Sequence, residues 1–226
     1  MRAILLRHYN LAVVDSLMLC SSLGRLRLPN LSSTVEHHDF VTEQVDEYLR
    51  TIRIVELWWP DGEPPQCILP LGVDVRPISG KRRAIYDARY PNLWHRYEKF
   101  NYETLKDIPL YAEQGGYATT SDIKAGYHAI LVPQLSTYYG FEWHGTVYVW
   151  RCLPFGAAPA CRIFTEVAQV MFQPMRSIGV RLTSYIDDRM SYNETRAGAK
   201  SDNMFVFAVM AALGWYVSID KCELLP

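Results

Sequence analysis

Tyr185-Ile186-Asp187-Asp188 ends a strand-like run over residues 179–186 with two adjacent carboxylates. Like charges a few ångströms apart repel and raise each other's pKa unless a cation sits between them. In an extended strand the two side chains point to opposite faces, but a tight turn at Asp187-Asp188 can bring both near one metal. A plain acidic hairpin turn is the alternative reading. Outward from this stretch, Asp122 follows the strand-like Tyr117-Ala118-Thr119-Thr120 and opens Asp122-Ile123-Lys124-Ala125-Gly126-Tyr127-His128. Alone, Asp122 reads as a helix cap. With Asp187 and Asp188 it completes a set of three, and three carboxylates can hold two hard divalent cations roughly 3.5–4 Å apart, the arrangement for in-line phosphoryl displacement. Oxygen-only ligands favour magnesium.

The flanking pattern predicts an α+β fold. Residues 136–151 are dense in β formers, with His144-Gly145 between the halves, which reads as a hairpin. Residues 160–177 read as a helix with Phe164, Val167, Ala168 and Met171 on one side. Residues 196–213 read as another, whose run from Phe205 to Leu213 is apolar all round and so predicted to be well buried. Gly214 ends it, and Trp215-Tyr216-Val217 begins a last strand. Strand, hairpin, helix, strand-turn-strand, helix, strand implies helices against one face of an antiparallel sheet. Upstream, residues 33–52 are predicted helical, with Ser33 and Glu36 as a capping box and Val41, Val45, Leu49 and Ile52 on one face. From Pro60 to Gly80, Cys67-Ile68-Leu69 and Val73-Asp74-Val75 suggest short strands linked by turns. Lys81-Arg82-Arg83 leads into the strand-like Ala84-Ile85-Tyr86, and residues 102–113 suit a short helix.

Composition sets outer bounds. The chain has 226 residues, 49% apolar and 21% charged, an ordinary globular balance rather than a disordered one. The net charge of -1 carries no basic surplus, so any nucleic-acid contact rests on local clusters such as Lys81 to Arg83. Cys20, Cys67, Cys152, Cys161 and Cys222 are scattered and odd in number, without zinc-ligand spacing. This fits a reducing, intracellular compartment, cytoplasmic or nuclear. The apolar stretch from Met1 to Cys20 is broken by His8, Asn10 and Asp15, a poor signal peptide and too short to span a membrane. No membrane partner is expected, and residues 1–32 are left as an undefined leader.

The ordered motifs resemble reverse transcriptases, specifically those of LTR-type and tyrosine-recombinase retrotransposons. The likeness runs from about Asp39 to Pro226. It rests on Gly80-Lys81-Arg82-Arg83 with Asp87, Arg89 and Asn92; on Lys99-Phe100 with Tyr102-Glu103; and on Asp122 through His128 and Phe141-Glu142-Trp143. Leu153-Pro154-Phe155-Gly156, Arg162-Ile163-Phe164-Thr165, Tyr185 to Asp188, and Leu213-Gly214 through Lys221 continue the series. The resemblance implies the fingers and palm of a right-handed polymerase, with a fingers-like region at 33–116 and a palm at 117–226. It implies RNA-directed DNA synthesis on an RNA or DNA template with a primer, from dNTPs, with two magnesium ions and manganese as a substitute. Asp122 and Asp187 would bind both ions, Asp188 would support the site, and the Ile123 carbonyl would be a further ligand. Tyr127 matches the aromatic residue that excludes a 2′-OH, or is otherwise a core tyrosine. Arg83, and more weakly Arg76, match cations facing the incoming triphosphate, or are solvated surface charge. Phe155 and Gly156 would line the nucleotide and template pocket, Gly156 being otherwise a turn glycine. Lys221 matches a lysine near the last palm strand.

Departures stand beside the matches. Where the family has proline three residues before Phe164, this chain has Cys161, with Pro159 two residues earlier. Arg189 follows the aspartate pair where an apolar residue or glycine is usual. The chain stops at Pro226, before the family's primer-contacting turn and thumb, so weak primer extension by this chain alone is the expectation. An inactive relic is the competing reading. An RNA-dependent RNA polymerase is disfavoured by Tyr185-Ile186, where that family shows Gly-Asp-Asp, and by Tyr127 at the sugar position.

Overall fold

The computed structural model describes residues 24–51, 53–56, 65–95, 98–132 and 138–223. Ile52, the first residues of the Pro60 to Gly80 segment, the start of the 136–151 run and most of the 1–32 leader lie outside them. In chain order the elements are β1 (Leu26–Arg27), α1 (Ser33–Glu36), α2 (His38–Arg50), β2 (Ile54–Glu56), β3 (Cys67–Ile68), β4 (Leu71–Val75), β5 (Arg82–Tyr86) and α3 (Arg89–Asn92). There follow β6 (Tyr117–Asp122), β7 (Gly140–Trp143), β8 (Thr146–Trp150), α4 (Ala160–Ser177), β9 (Arg181–Tyr185), β10 (Asp188–Asn193) and α5 (Arg196–Ala212). Short 3-10 helices at Leu105–Leu110, Gly126–Ala129 and Ile219–Lys221 complete the set. No described helix is long and apolar enough to cross a membrane.

These elements form two compact units. Described residues 98–129 and 161–223 make one, the acidic unit, and 24–95 with 130–160 make the other, the aromatic unit. The division does not follow a single cut at 116/117: residues 98–116 fold with the carboxylates, and the β7–β8 hairpin folds with the upstream strands.

The aromatic unit is built on a five-stranded sheet, β1-β3-β7-β8-β2, in which β1, β3 and β7 run parallel and β7, β8 and β2 antiparallel. Its hairpin forms as read from the sequence. His144 and Gly145 both take positive φ, +50° and +77°, the two-residue turn whose twist matches a right-handed strand pair. Tyr139, Phe141 and Trp150 are buried around Tyr86, with Phe141 and Trp150 centroids 6.3 and 5.6 Å from its ring. Such pairs contribute about 0.5–1.5 kcal/mol beyond their area burial. Helix α2 buries Val41 and Val45, as its spacing predicts. The capping box does not form: Ser33 lies inside α1, and its hydroxyl instead accepts the Val73 amide of β4 at 3.0 Å. A long-range partner has taken the local one's place.

In the acidic unit β6, β10 and β9 form an antiparallel sheet in that order. Arg189 of β10 lies over the Phe172 ring of α4, and Asn193 of β10 donates to Asp202 of α5 at 2.9 Å. The two residues share a strand face, so both helices back one side of the sheet. Helix α5 departs from its expected burial. Ala199, Asn203, Val206 and Met210 are buried, while Met204 and Phe205 are 63% and 40% exposed. The sheet covers one face of the helix only. Beyond Gly214 the expected last strand is reduced to isolated bridges, Ile123 with Val217 and Thr120 with Glu223, around the Ile219–Lys221 turn. The predicted 102–113 helix is the 3-10 turn Leu105–Leu110, closed by a true capping box between Thr104 and Asp107.

Strand β9 is an edge of the described sheet, and its free amide is covered. Glu103 accepts the Ser184 amide at 2.8 Å and Arg176 at 2.8 Å, and also takes Gln169. Arg176 donates to the Leu182 carbonyl at 2.9 Å. Capping an edge in this way removes a template for unwanted strand pairing.

Candidate active site

The antiparallel register sets Asp122, the last residue of β6, opposite Asp188, the first residue of β10. The turn between β9 and β10 holds Ile186 at φ +51°, a left-handed conformation that a β-branched side chain resists. The turn returns the chain so that the Asp187 carbonyl accepts the Ile123 amide at 3.0 Å. The tips of β6 and of the hairpin are thus tied together, and Asp122 and Asp187 lie within each other's electrostatic reach.

Burial pushes the Asp187 carboxyl up to about 6; nearby Arg189 opposes the rise, and Asp122 and Asp188 add to it. Asp187 Oδ1 is buried with no hydrogen-bond partner among the described residues. Gly126 leaves room for it: a Cβ there would stand 2.5 Å from Asp187 Oδ1 and 2.7 Å from the Phe164 ring. Asp122 is engaged by Lys221, whose Nζ lies 3.0 and 3.1 Å from its two oxygens. Asp188 is exposed, and Ile123 is 1% exposed. Among the described residues no group of three or more His, Cys, Asp or Glu is gathered tightly enough to hold a metal ion. The Asp122–Asp187 pair, with an unbonded buried oxygen and hard donors, suits a divalent cation once Lys221 moves aside.

Arg189 points away from solvent. It is 3% exposed, donates to the Asp187 carbonyl at 3.1 Å and rests 4.9 Å from the Phe172 ring centre. Burial pushes its guanidinium down to about 9 against the opposing pull of Asp187, Asp122 and Asp188.

Tyr127 is 8% exposed; its hydroxyl and the Cys161 thiol are 2.8 Å apart, and its ring meets Phe164 edge-on at 5.3 Å. Burial raises its hydroxyl pKa first, and the Cys161 contact adds to this. Cys161 and Phe164 occupy the first turns of α4, which begins directly after Pro159. The displaced proline still precedes the helix, and the thiol has become a partner for the tyrosine.

Asp122, Ile123, Tyr127, Asp187, Asp188 and Lys221 therefore come together in one unit. Arg76, Arg83, Phe155 and Gly156 belong to the aromatic unit. Arg83 is exposed on β5 opposite Asp74, and Arg76 is exposed in the β4–β5 turn. Phe155 is 41% exposed. Gly156 takes φ +98°, and a Cβ there would stand 2.5 Å from the Tyr86 carbonyl, so the position requires glycine twice over. Asn92 clamps this loop, donating to the Gly156 carbonyl and accepting the Ala158 amide, both at 2.8 Å. That role, like the Glu103 clamp on Ser184, was not read from the sequence. The only available signal was the place of Asn92 and Glu103 among the ordered motifs.

No curated protein sequence matches the chain. Solved structures do. The native protease-reverse transcriptase of prototype foamy virus superposes with a TM-score of 0.69 at 19% identity, covering 88% of this chain and 25% of that one. The foamy viral enzyme in complex with an RNA/DNA hybrid gives 0.72 at 19%, over 89% and 26%. In complex with dsDNA it gives 0.73 at 19%, over 91% and 40%. At this identity the likeness establishes the fold, that of reverse-transcriptase fingers and palm, and the chain spans only 25% to 40% of those proteins' lengths. The family profile described as reverse transcriptase (RNA-dependent DNA polymerase) matches residues 91–226, more than half of the sequence, and the chain belongs to that family.

Proposed function

We propose that this chain carries the nucleotidyl-transfer site of an RNA-directed DNA polymerase of a retroelement, of the LTR or tyrosine-recombinase retrotransposon type. The observation that carries the reading is that the tip of β6, with Asp122, is tied to the β9–β10 turn, with the unbonded Asp187 oxygen. Asp122, Asp187 and the Ile123 carbonyl would hold magnesium, with Asp188 in support, and manganese would substitute. Bound there, the ions would stabilise charge on the attacking and leaving oxygens of an in-line displacement. The chain's own part is placement, from which much of the rate of phosphoryl transfer comes. Tyr127, held from behind by Cys161 and Phe164, would present its ring where a 2′-OH would have to fit. Arg83, with Arg76, would meet the triphosphate as exposed cations, and Phe155 and Gly156 would border the base pair.

The partners proposed are a primed RNA or DNA template and dNTPs. The foamy viral enzyme has been solved with an RNA/DNA hybrid and with dsDNA, and this chain shares its fold. The test is DNA-primer extension on an RNA template with dNTPs or rNTPs, by this chain alone and with a related thumb supplied downstream. Extension with dNTPs that Asp187→Asn abolishes is expected. Extension that survives Asp187→Asn, or that prefers rNTPs, would remove the reading. Manganese binding followed by electron paramagnetic resonance gives an independent check, since Asp122→Asn and Asp187→Asn should each weaken it.

A further inference from the structure

Arg189 is the residue that the polymerase reading does not use. It follows Asp188 on β10, so strand alternation turns it to the opposite face, onto α4. It is 3% exposed, and its Nε and Nη2 have no partner among the described residues. A guanidinium without a full set of acceptors is costly to bury. The Phe172 ring and the Asp187 carbonyl offset part of that cost. Neither carries a full negative charge. The groups that do, on the turn that Arg189 holds and on the strand tip paired with it, are Asp187, Asp188 and Asp122. Those acids carry the complementary problem, since they are drawn together by strand register and turn and repel one another. Lys221 relieves Asp122 from the exposed side. Arg189 stands on the buried side and is fixed there by its packing.

We propose that Arg189 is an internal counter-ion of the acidic site, a positioning residue that holds the Asp187 carbonyl and keeps the carboxylate tips folded together when no divalent cation is bound. The placement of Arg189 stands on geometry: its burial, its bond to the Asp187 carbonyl and its position over Phe172. The expected response to magnesium rests on the metal-site reading above.

The experiment is a double-mutant cycle on unfolding of the full chain, with Arg189→Met and Asp187→Asn alone and combined, in chelator and in saturating magnesium. Asp187→Asn keeps the backbone carbonyl and removes only the charge. In chelator, Arg189→Met should raise the unfolding constant roughly tenfold more in the wild-type background than beside Asp187→Asn, the scale of a close charge pair. Arg189→Lys should fall between wild type and Arg189→Met. Magnesium should shrink the coupling, so that its stabilising shift is larger in Arg189→Met than in wild type. If Arg189→Met fails to fold while the double variant folds, the proposal stands. Equal effects in both backgrounds overturn it, as does failure of both methionine variants to fold, because Arg189 would then serve packing alone. Coupling in chelator with no response of any variant to magnesium would retain the counter-ion and overturn the metal site instead.

Discussion

Lys221 sets its ammonium 3.0 and 3.1 Å from the two carboxylate oxygens of Asp122, across 99 residues of sequence. The contact comes from the short 3-10 turn Ile219–Lys221, and the Ser218 amide leading into that turn is anchored on the Asp122 carbonyl at 2.8 Å. A cation already seated on a ligand must leave before a metal arrives. Lys221→Met is therefore expected to tighten manganese binding. Lys221 is 61% exposed, so water screens the pair and the gain should be small, roughly twofold to fivefold. Titration by electron paramagnetic resonance measures it, and weaker binding in the variant would make Lys221 a helper rather than a competitor.

Tyr127 and Cys161 give a graded prediction. Tyr127→Ala removes the ring and should relax discrimination against ribonucleotides strongly. Cys161→Ala leaves the ring and its Phe164 contact but removes the thiol from the hydroxyl, a loss of about 0.5–1.5 kcal/mol of fixing energy. Discrimination should fall severalfold with Cys161→Ala, and Cys161→Ser should restore most of it. The ratio of dNTP to rNTP incorporation efficiency reads both effects. Unchanged selectivity in Tyr127→Ala would make that residue part of the core only.

His95 gives the aromatic unit an acid-sensitive joint. Burial lowers its pKa to about 4 from 6.5, and its Nε2 bonds the buried Tyr139 hydroxyl. A folded-state value below the unfolded one means that protonation favours unfolding. Its contribution is complete above about pH 6.5 and is lost as pH falls towards 4. The expected loss is on the order of 3 kcal/mol. Chemical denaturation of wild type and His95→Phe across that range should show the shallower slope in the variant. Parallel slopes would mean that His95 titrates normally in the folded protein.

The Glu103 carboxylate serves the Ser184 amide and Arg176 together. Both ion-pair partners are about one-quarter exposed, so truncating one leaves a mostly buried charge and an open strand edge. Glu103→Ala should cost about 3 kcal/mol. More specifically, it should abolish hydrogen-exchange protection at Ser184 while leaving β6 protected. Protection retained at Ser184 would mean that another group covers this edge.

What the sequence revealed was mostly local. His144-Gly145 demands a twisted two-residue turn, Phe164, Val167, Ala168 and Met171 repeat at helical spacing, and Asp122 and Asp187 each end a run of β formers. The errors lay where a distant partner decided the outcome. Ser33 has the right neighbour for a capping box but bonds Val73, forty residues away. Phe205 sits in an apolar run, yet the sheet covers only the face of α5 that carries Val206 and Met210. Strand β1 is two residues long, too short for any alternation to register. Arg189 was visible as a misfit beside the aspartates, but the direction it takes depends on Phe172 of a helix earlier in the chain.

Ile186 offers the sharpest separation of stability from function. At φ +51° a β-branched residue pays about 1–3 kcal/mol in backbone strain, of the kind found at functional sites. Glycine relieves that strain at a cost of about 0.5–1 kcal/mol in unfolded-chain entropy and the loss of a half-buried side chain. Asparagine relieves much of it with less entropy lost. Ile186→Val keeps the branched Cβ and the strain while losing a methylene. The expected order of stability is asparagine at least equal to wild type, glycine close to wild type, and valine below both. Position 186 also aims its neighbour, since Asp187 must present its carboxylate towards Asp122 while its carbonyl holds Ile123. The relaxed variants should therefore bind manganese more weakly or extend primers more slowly although they unfold no more easily. Thermal unfolding and manganese titration on the same three variants decide the matter. Clear destabilisation by both asparagine and glycine would show that the turn stores no strain. Full metal affinity in both would show that the strain has no part in aiming Asp187.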